Sequence, residues 1–568
     1  MARLRRGERL IIAKPQAWRL AWFAGLFWFG AVASRADTHY VAQASQTEVP
    51  NYTNWADASS NIQHAINVAG ANDTVLVSNG TYNLTNQISI TNITVRSLNG
   101  TNLTFVNGNN YVGKPVTNRC FYIDHSVLNG FTVSNGFARD SSGGGIYIKN
   151  TGLVYNCFIS GNTASNISQS SGAGGGGVYI SVGGIVSNCS IVNNTFWDNA
   201  DRTLASVGGG GADLYDDGIL TESYISGNVS YWNGGGVCIN RAYGNRPPGG
   251  TECIVTNCVV TDNRAKKDGG GVYMCYGCVV ATCVISNNVA EKNGGGIING
   301  SGTVKNSIII GNTASNSYGG ATAGGGDSTW TTGGIMSNCQ VIANWARSGS
   351  AGGVGMAGLM NTSQVVNCII ARNRADGSYG GGIFLSDRGL IKNCLIYCNT
   401  NQGAWTGVGG GVWLGNQTKY QYPVGLINCT IVSNREIGTS TSRGGGLYVD
   451  GTNYIANCII YDNTAATASP NIYNNTAANT NNYWNTCSLG SDLLAPNQGN
   501  STNNPLFIDQ GNRNYRLSKG SPCINAGINL LPWMAGDYDL DGRVRIRYGK
   551  VDMGAYEAIY GGTMCVFR

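Results

Sequence analysis

The sequence is poor in charge, proline and histidine: of 568 residues, 12% are charged, 11 are Pro and 3 are His. After residue 33 it has no apolar run long enough to cross a membrane. Nothing in its repeating segments recurs at three and four, so a helical solenoid is excluded. Scarce charge beside 84 Gly could signal disorder, but 42% of the residues are hydrophobic and they alternate regularly. A packed, strand-rich body follows. At this length it is either several domains or one elongated repeat.

The first 36 residues stand apart. Arg3, Arg5, Arg6, Arg9 and Lys14 precede the apolar run "LAWFAGLFWFGAVA" (20–33), and Ser34 and Ala36 place small residues where a signal peptidase reads. This segment is read as an export signal, with an uncleaved anchor as the alternative. It holds seven Lys/Arg and one Glu, so the remainder carries 36 − 7 = 29 basic and 30 − 1 = 29 acidic residues. A neutral body gives no case for nucleic-acid binding. The mature chain is expected to be exported to the cell exterior or outer surface, without a membrane span, and to act as a monomer.

The dominant pattern is a repeat. Glycine-rich corners end at Gly145, Gly177, Gly211, Gly236, Gly271, Gly296, Gly326, Gly353, Gly382, Gly411 and Gly446, eleven copies with a mean spacing of 30 residues. Further along each copy comes a Cys or Ser (Cys157, Cys189, Ser223, Cys258, Cys283, Ser307, Cys339, Cys368, Cys394, Cys429, Cys458), then Ile or Val two residues later and Asn five residues later. Spacing of two is the strand period, so Cys and Ile face one way. The Asn marks a bend, since Asn tolerates left-handed backbone and its amide can bond the next Asn along a stack. Strands returning every ~30 residues stack as parallel neighbours about 4.8 Å apart, and the glycines suit a corner where successive coils press close. The chain is therefore read as all-β, a single-stranded right-handed parallel β-helix with a body of about 50 Å. A β-propeller is the rival, though its blades need four strands each. "DASSNIQHAINVAG" (57–70) sets Ile62, Ala65, Ile66 and Ala69 on one helical face, suited to plugging the first coil. The expected organisation is a signal segment (1–36), a cap and first coils (37–136), the repeat body (137–470), and a terminal coil with an end cap (471–568).

The "GGGVYI…NC-I--N-A" coils resemble the right-handed β-helix repeats of the pectate-lyase-like superfamily and of polymorphic outer-membrane proteins. "NPLFIDQGNRNYRLSKGSPCINAG" (504–527) with "DYDLDGRVRIRYGKVDMGAYE" (537–557) resembles the choice-of-anchor Q domain of exported bacterial β-helix proteins. These resemblances imply fold and export rather than one chemistry.

Four groups of residues are candidates for function. The position two past each glycine corner faces outward and holds Tyr147, Tyr179, Tyr273, Phe384, Trp413 and Tyr448, a row on which sugar rings could stack, or whose rings stack on each other. Asp213 interrupts this row, and Asp216 and Asp217, with Arg241, Lys266 and neighbouring cations on the next coils, form the densest charge cluster. Carboxylates to hold calcium and a basic group to remove a sugar C5 proton are what a β-eliminating lyase needs; the alternative is solvated loop charge. Asp216-Asp217 also mimics the acid pair of a polygalacturonase, but the histidines are only His39, His64 and His125, and no Gly-His-Gly occurs. Asp537, Asp539 and Asp541 in "DYDLDG" begin a calcium-loop pattern whose twelfth position is Tyr548. The alternative is a hydrogen-bonded turn. Cys253 and Cys278 each lie five before a repeat Cys and could form an inter-coil disulfide, whereas the repeat cysteines are read as a reduced stack. The leading functional reading is a non-catalytic surface for polysaccharide or cell-surface glycan; the second is a lyase acting on uronate-containing glycans.

Overall fold

The computed structural model describes residues 36–559 apart from 46, 110–116, 167–172, 199–207, 241–251, 316–318, 323–332, 357–362, 387–388, 404–406, 416–424, 439–441, 452, 468, 476–482, 490–497 and 531–536. Residues 1–35, nearly all of the expected export segment, and Arg241 thus lie outside the described residues. Within them no helix is long and apolar enough to cross a membrane.

Every coil repeats one course. A strand leaves the glycine corner (Ile146–Asn150, Val178–Ile180) and a second follows after a short turn (Leu153–Tyr155, Ile185–Ser187). Both files belong to one 28-stranded sheet, fused where Val272–Ala281 and Ile297–Lys305 run through both. The chain then bends into a 15-stranded second sheet and again into a 12-stranded third sheet. Strands in all three pair in parallel with their counterparts one coil on, Ile146 with Val178 and Ile159 with Ile191, for example. The protein is a right-handed parallel β-helix, about 65 Å long from the second sheet's strand count and the usual spacing. Alternation sends Val154, Ile159, Val186 and Ile191 into one continuous apolar core.

The asparagine stack is real, but its conformational role differs from expectation. The left-handed residues are those just before it, such as Asn193 (φ 54°) and Asn287 (φ 54°), and those before the repeat cysteine, such as Asn156 (φ 54°). The stacked Asn itself turns inward. Asn228 Oδ1 accepts both the backbone N–H and the side-chain amide of Asn194 (2.9 and 3.1 Å), while Asn228 Nδ2 donates to the Ile191 carbonyl at 2.9 Å and to Asn263 Oδ1 at 2.9 Å. The same links run from Asn162 to Asn471. They satisfy buried polar groups at a corner where no sheet ladder can.

The cysteine file works similarly. Cys189 Sγ accepts the Cys157 N–H at 3.4 Å, and where the next residue is Ser223 its hydroxyl accepts the Cys189 N–H at 3.1 Å. Cys and Ser interchange because either supplies an acceptor on a small side chain. At the glycine corner two constraints act: Gly175 has φ +67°, and a Cβ on Gly211 would sit 2.7 Å from the Gly236 carbonyl. One corner was misplaced. The seventh corner lies at Gly319-Gly320, not at the triplet ending at Gly326, which lies outside the described residues: Gly296 N–H donates to Gly320 O, and Ala321 pairs with Ile297 and Val354. The chain takes the corner eight residues after Asn312, the same interval as from Asn288 to Gly296.

The amino-terminal plug forms as expected. A helix over Ile62–Val68, capped by Asn61 accepting from the Gln63 and His64 N–H groups, buries Ile62, Ala65 and Ile66. The carboxy-terminal segment does not simply close the far end. Residues 505–530 and 537–557 lie back along the outer face of the second sheet. Tyr515, Ala555 and Tyr556 cover Leu395 and Val432, and Leu517 and Met553 cover Ile459 and Cys487. Lys392 Nζ meets Asp537 at 2.7 Å, and Asn457 Nδ2 donates to Ile528 O at 2.9 Å. The reason is that the outward row of these last coils is itself apolar.

Replacing Asn228 by Ala removes buried hydrogen bonds to the coils on both sides. We expect a loss of about 2–4 kcal/mol, read as a lower urea midpoint.

Candidate functional site

The outward row of the first sheet resolves into stacks. Tyr122 and Tyr147 lie 5.3 Å apart at 10°, and Tyr147 and Tyr179 5.1 Å apart at 31°. Farther along, Phe384 and Trp413 stack at 4.8 Å and 10°, with Tyr379 at 4.9 Å from Trp413, and Tyr448 stacks on Tyr473 at 5.2 Å. Parallel register places each ring one rung above the last, so stacking follows from the repeat. Tyr122, Tyr147, Tyr179, Phe384, Tyr448 and Tyr473 keep an exposed edge or face. The rings lie on each other and still border solvent. The Arg119 guanidinium sits 5.0 Å from the Tyr147 ring and is fixed by Gln87 and by the carbonyls of Ser142 and Gly143.

Tyr122 and Tyr473 were missed because no glycine triplet precedes them. The signal was the alternating "FYI" and "IYN" in register with the neighbouring coils. Tyr273 departs from expectation: it is 8% exposed, packed with Cys238 and Ile298 on either side.

Asp213 also departs. It lies at the row position, paired in register with Tyr179 and Cys238, but is 2% exposed. Residue 174 overlies it so closely that a Cβ there would meet its Oδ2 at 1.7 Å, and Asn240 Nδ2 donates to Oδ1 at 2.9 Å. Burial pushes its carboxyl well above the ordinary range. The same burial, then Asp213 itself, raises the neighbouring Tyr179 phenol. Asp213 is thus not a surface ligand. Asp216 and Asp217 lie half-buried in the following turn, with Asp217 at φ 63°. Lys266 is on the third sheet, over the Tyr231 ring at 4.7 Å, away from that turn. The structure does not bring these charges into one site.

The Asp537–Asp541 turn does not fit calcium. Asp537 faces Lys392, Asp539 accepts from the N–H groups of Arg543 and Glu557, and Asp541 is held by Arg516 and Arg543. Among the described residues no group of three or more His, Cys, Asp or Glu is placed to hold a metal ion. The turn is a hydrogen-bonded joint of the carboxy-terminal segment. Cys253 and Cys278 occupy equivalent places in adjacent coils, since Ile254 pairs with Val279, but both are buried thiols rather than a disulfide. Hydrogen bonding to Cys278 lowers the Cys253 thiol against the raising effect of burial.

No protein-family model matches the chain, and no curated protein matches it. Solved structures similar to it include pectate lyase Pel9A, at 14% identity over 92% of this chain and 97% of that one, with a TM-score of 0.24. The Dettilon tailspike protein is 14% identical over 73% of this chain and 68% of its own, with a TM-score of 0.32. The A-module of the Azotobacter vinelandii mannuronan C-5 epimerase AlgE6 is 12% identical over 75% and 94%, with a TM-score of 0.27.

Because the folded protein holds a proton on Asp213 that the unfolded chain releases above about pH 4, this group's contribution to stability falls as pH rises. Asp213→Asn is expected to raise the urea midpoint at pH 7 and to leave it unchanged below about pH 4, which a pH series of urea titrations checks.

Proposed function

We propose that the chain is an exported, non-catalytic β-helix protein that binds glycans on the outer face of its first sheet. The observation that carries this reading is the half-exposed stack Tyr122–Tyr147–Tyr179, fixed by sheet register and by Arg119. Flat rings held in place by their neighbours lose little conformational freedom when a sugar ring settles against them, so such a surface binds at small entropic cost. A rigid sheet also keeps the rings at constant separation along the rod, which suits a polymer more than a single small molecule.

Burial of Asp213 and dispersal of Asp216, Asp217 and Lys266 leave the lyase reading without a convergent set of groups among the described residues. Elimination from a uronate needs a base within hydrogen-bond reach of the carbon acid and charge stabilisation beside it.

Purified protein is expected to be retained on polysaccharide gels, with Tyr147→Ala and Tyr179→Ala together weakening retention about tenfold. Incubation with pectin, alginate and glycosaminoglycans is expected to give no 235-nm absorbance with or without calcium. An increase at that wavelength would replace this reading by the lyase.

A further inference from the structure

The third sheet carries a surface concealed by the repeat motif. Its strands follow the stacked asparagines, and the sequence reads "NRAKK" (263–267), "NVAEK" (288–292), "NTAS" (312–315), "NWARS" (344–348) and "NRADG" (373–377). The alanines Ala265, Ala290, Ala314, Ala346 and Ala375 form a fully buried file. The residues either side of each alanine must therefore face solvent. Six cations, Arg264, Lys266, Lys267, Lys292, Arg347 and Arg374, stand on or just past these five consecutive strands. In a charge-poor, neutral body this is a local concentration.

Aromatic rings hold the cations in place. Lys266 Nζ lies 4.7 Å from the centre of the Tyr231 ring, which packs on Trp197 at 6.2 Å. Trp345 carries Arg347 at 4.7 Å and Arg374 at 5.1 Å, and its Nε1 donates to Asp376 at 2.8 Å. Lys267 lies over Trp232. Two ion pairs, Arg264–Glu291 at 2.7 Å and Arg374–Asp376 at 2.5 Å, brace the ranks. Among the described residues no carboxylate lies within ion-pair distance of Lys266 or Arg347, and both are exposed. A cation held over a ring keeps its charge while giving up less side-chain freedom on binding an anion.

We propose that this face of the third sheet is a binding strip for an acidic polysaccharide, its Lys and Arg ranks pairing with carboxylate or sulfate groups along the polymer. This rests on the glycan-binding reading but uses a different face. The ranks from Trp197 to Arg374 span about 29 Å along the rod, six steps of the strand spacing. That is a polymer-sized footprint. Acid groups carried on sugars suit it better than a nucleic-acid backbone. The strip mixes cations with two carboxylates and belongs to a neutral body, whereas dense phosphate is met by a large uniform excess of positive charge.

The test uses the full chain and four immobilised polymers: polygalacturonate, dextran sulfate, uncharged dextran and duplex DNA. Lys266→Gln with Arg347→Gln should weaken binding to the acidic glycans about tenfold, whereas Lys519→Gln with Lys550→Gln, an equal charge loss at exposed positions of the carboxy-terminal segment, should change it less than about twofold. The first two polymers tell carboxylate from sulfate recognition, and added salt should elute the protein. Unchanged binding by the first variant, equal weakening by the second, or DNA held as tightly as the glycans would overturn the proposal. Unaltered thermal midpoints establish that all variants are folded. If the third-sheet variant binds normally while Tyr147→Ala with Tyr179→Ala does not, the strip fails and the first-sheet reading stands; absence of glycan binding altogether removes both.

Discussion

The structure depends on one corner interaction: the side-chain oxygen of each stacked asparagine accepts two hydrogen bonds from the coil before it. Sheet hydrogen bonds alone tolerate slippage in a flat parallel stack, whereas a buried amide tied to fixed carbonyls does not. Once that amide is placed, the inward Ile or Val three residues before it and the cysteine or serine two residues earlier have only one rung to occupy. The glycine corner then follows from lack of room, since coils this close leave no space for a Cβ. Side chains of equal type form files along the rod because the register permits no other arrangement.

Those files explain what could be read from the sequence. The Cys/Ser, Ile/Val and Asn positions recur at fixed intervals, and the amphipathic segment around Ile62 and Ile66 has its own period, so the solenoid and its first plug were legible. Three features were not. Choosing between Gly320 and Gly326 needed the count from Asn312 rather than the longer glycine run. Asp213 stands where alternation points outward, and its cover, Asn240 and the segment at residue 174, comes from distant parts of the chain. The carboxy-terminal fold-back needed recognition that Leu395 and Ile459 are apolar on the supposedly solvent side. Local period tells which face a residue takes, not what lies over that face.

The two outer faces differ in chemistry through the same rule. On the first sheet the outward file is aromatic at both ends of the body, from Tyr122 to Tyr179 and from Phe384 to Tyr473, and register turns these rings into stacks. On the five third-sheet strands from Ala265 to Ala375 the inward file is alanine, so little side-chain volume separates them from the core and the outward positions carry the variation. Rigid strands hold such groups more closely than loops would. The second sheet shows how such a face can be used: its last rungs are already covered by the chain's own carboxy-terminal segment.

The asparagine stack also has a direction. Each amide oxygen receives donors from the preceding coil, so a newly laid coil leaves open valences that only its successor can close. The chain ends this dependence at Asn471, eight residues beyond Asn463, where a corner normally glycine supplies the final acceptor. A cut between any two coils of this stack therefore strips the acceptors from the buried amide donors of the coil before it.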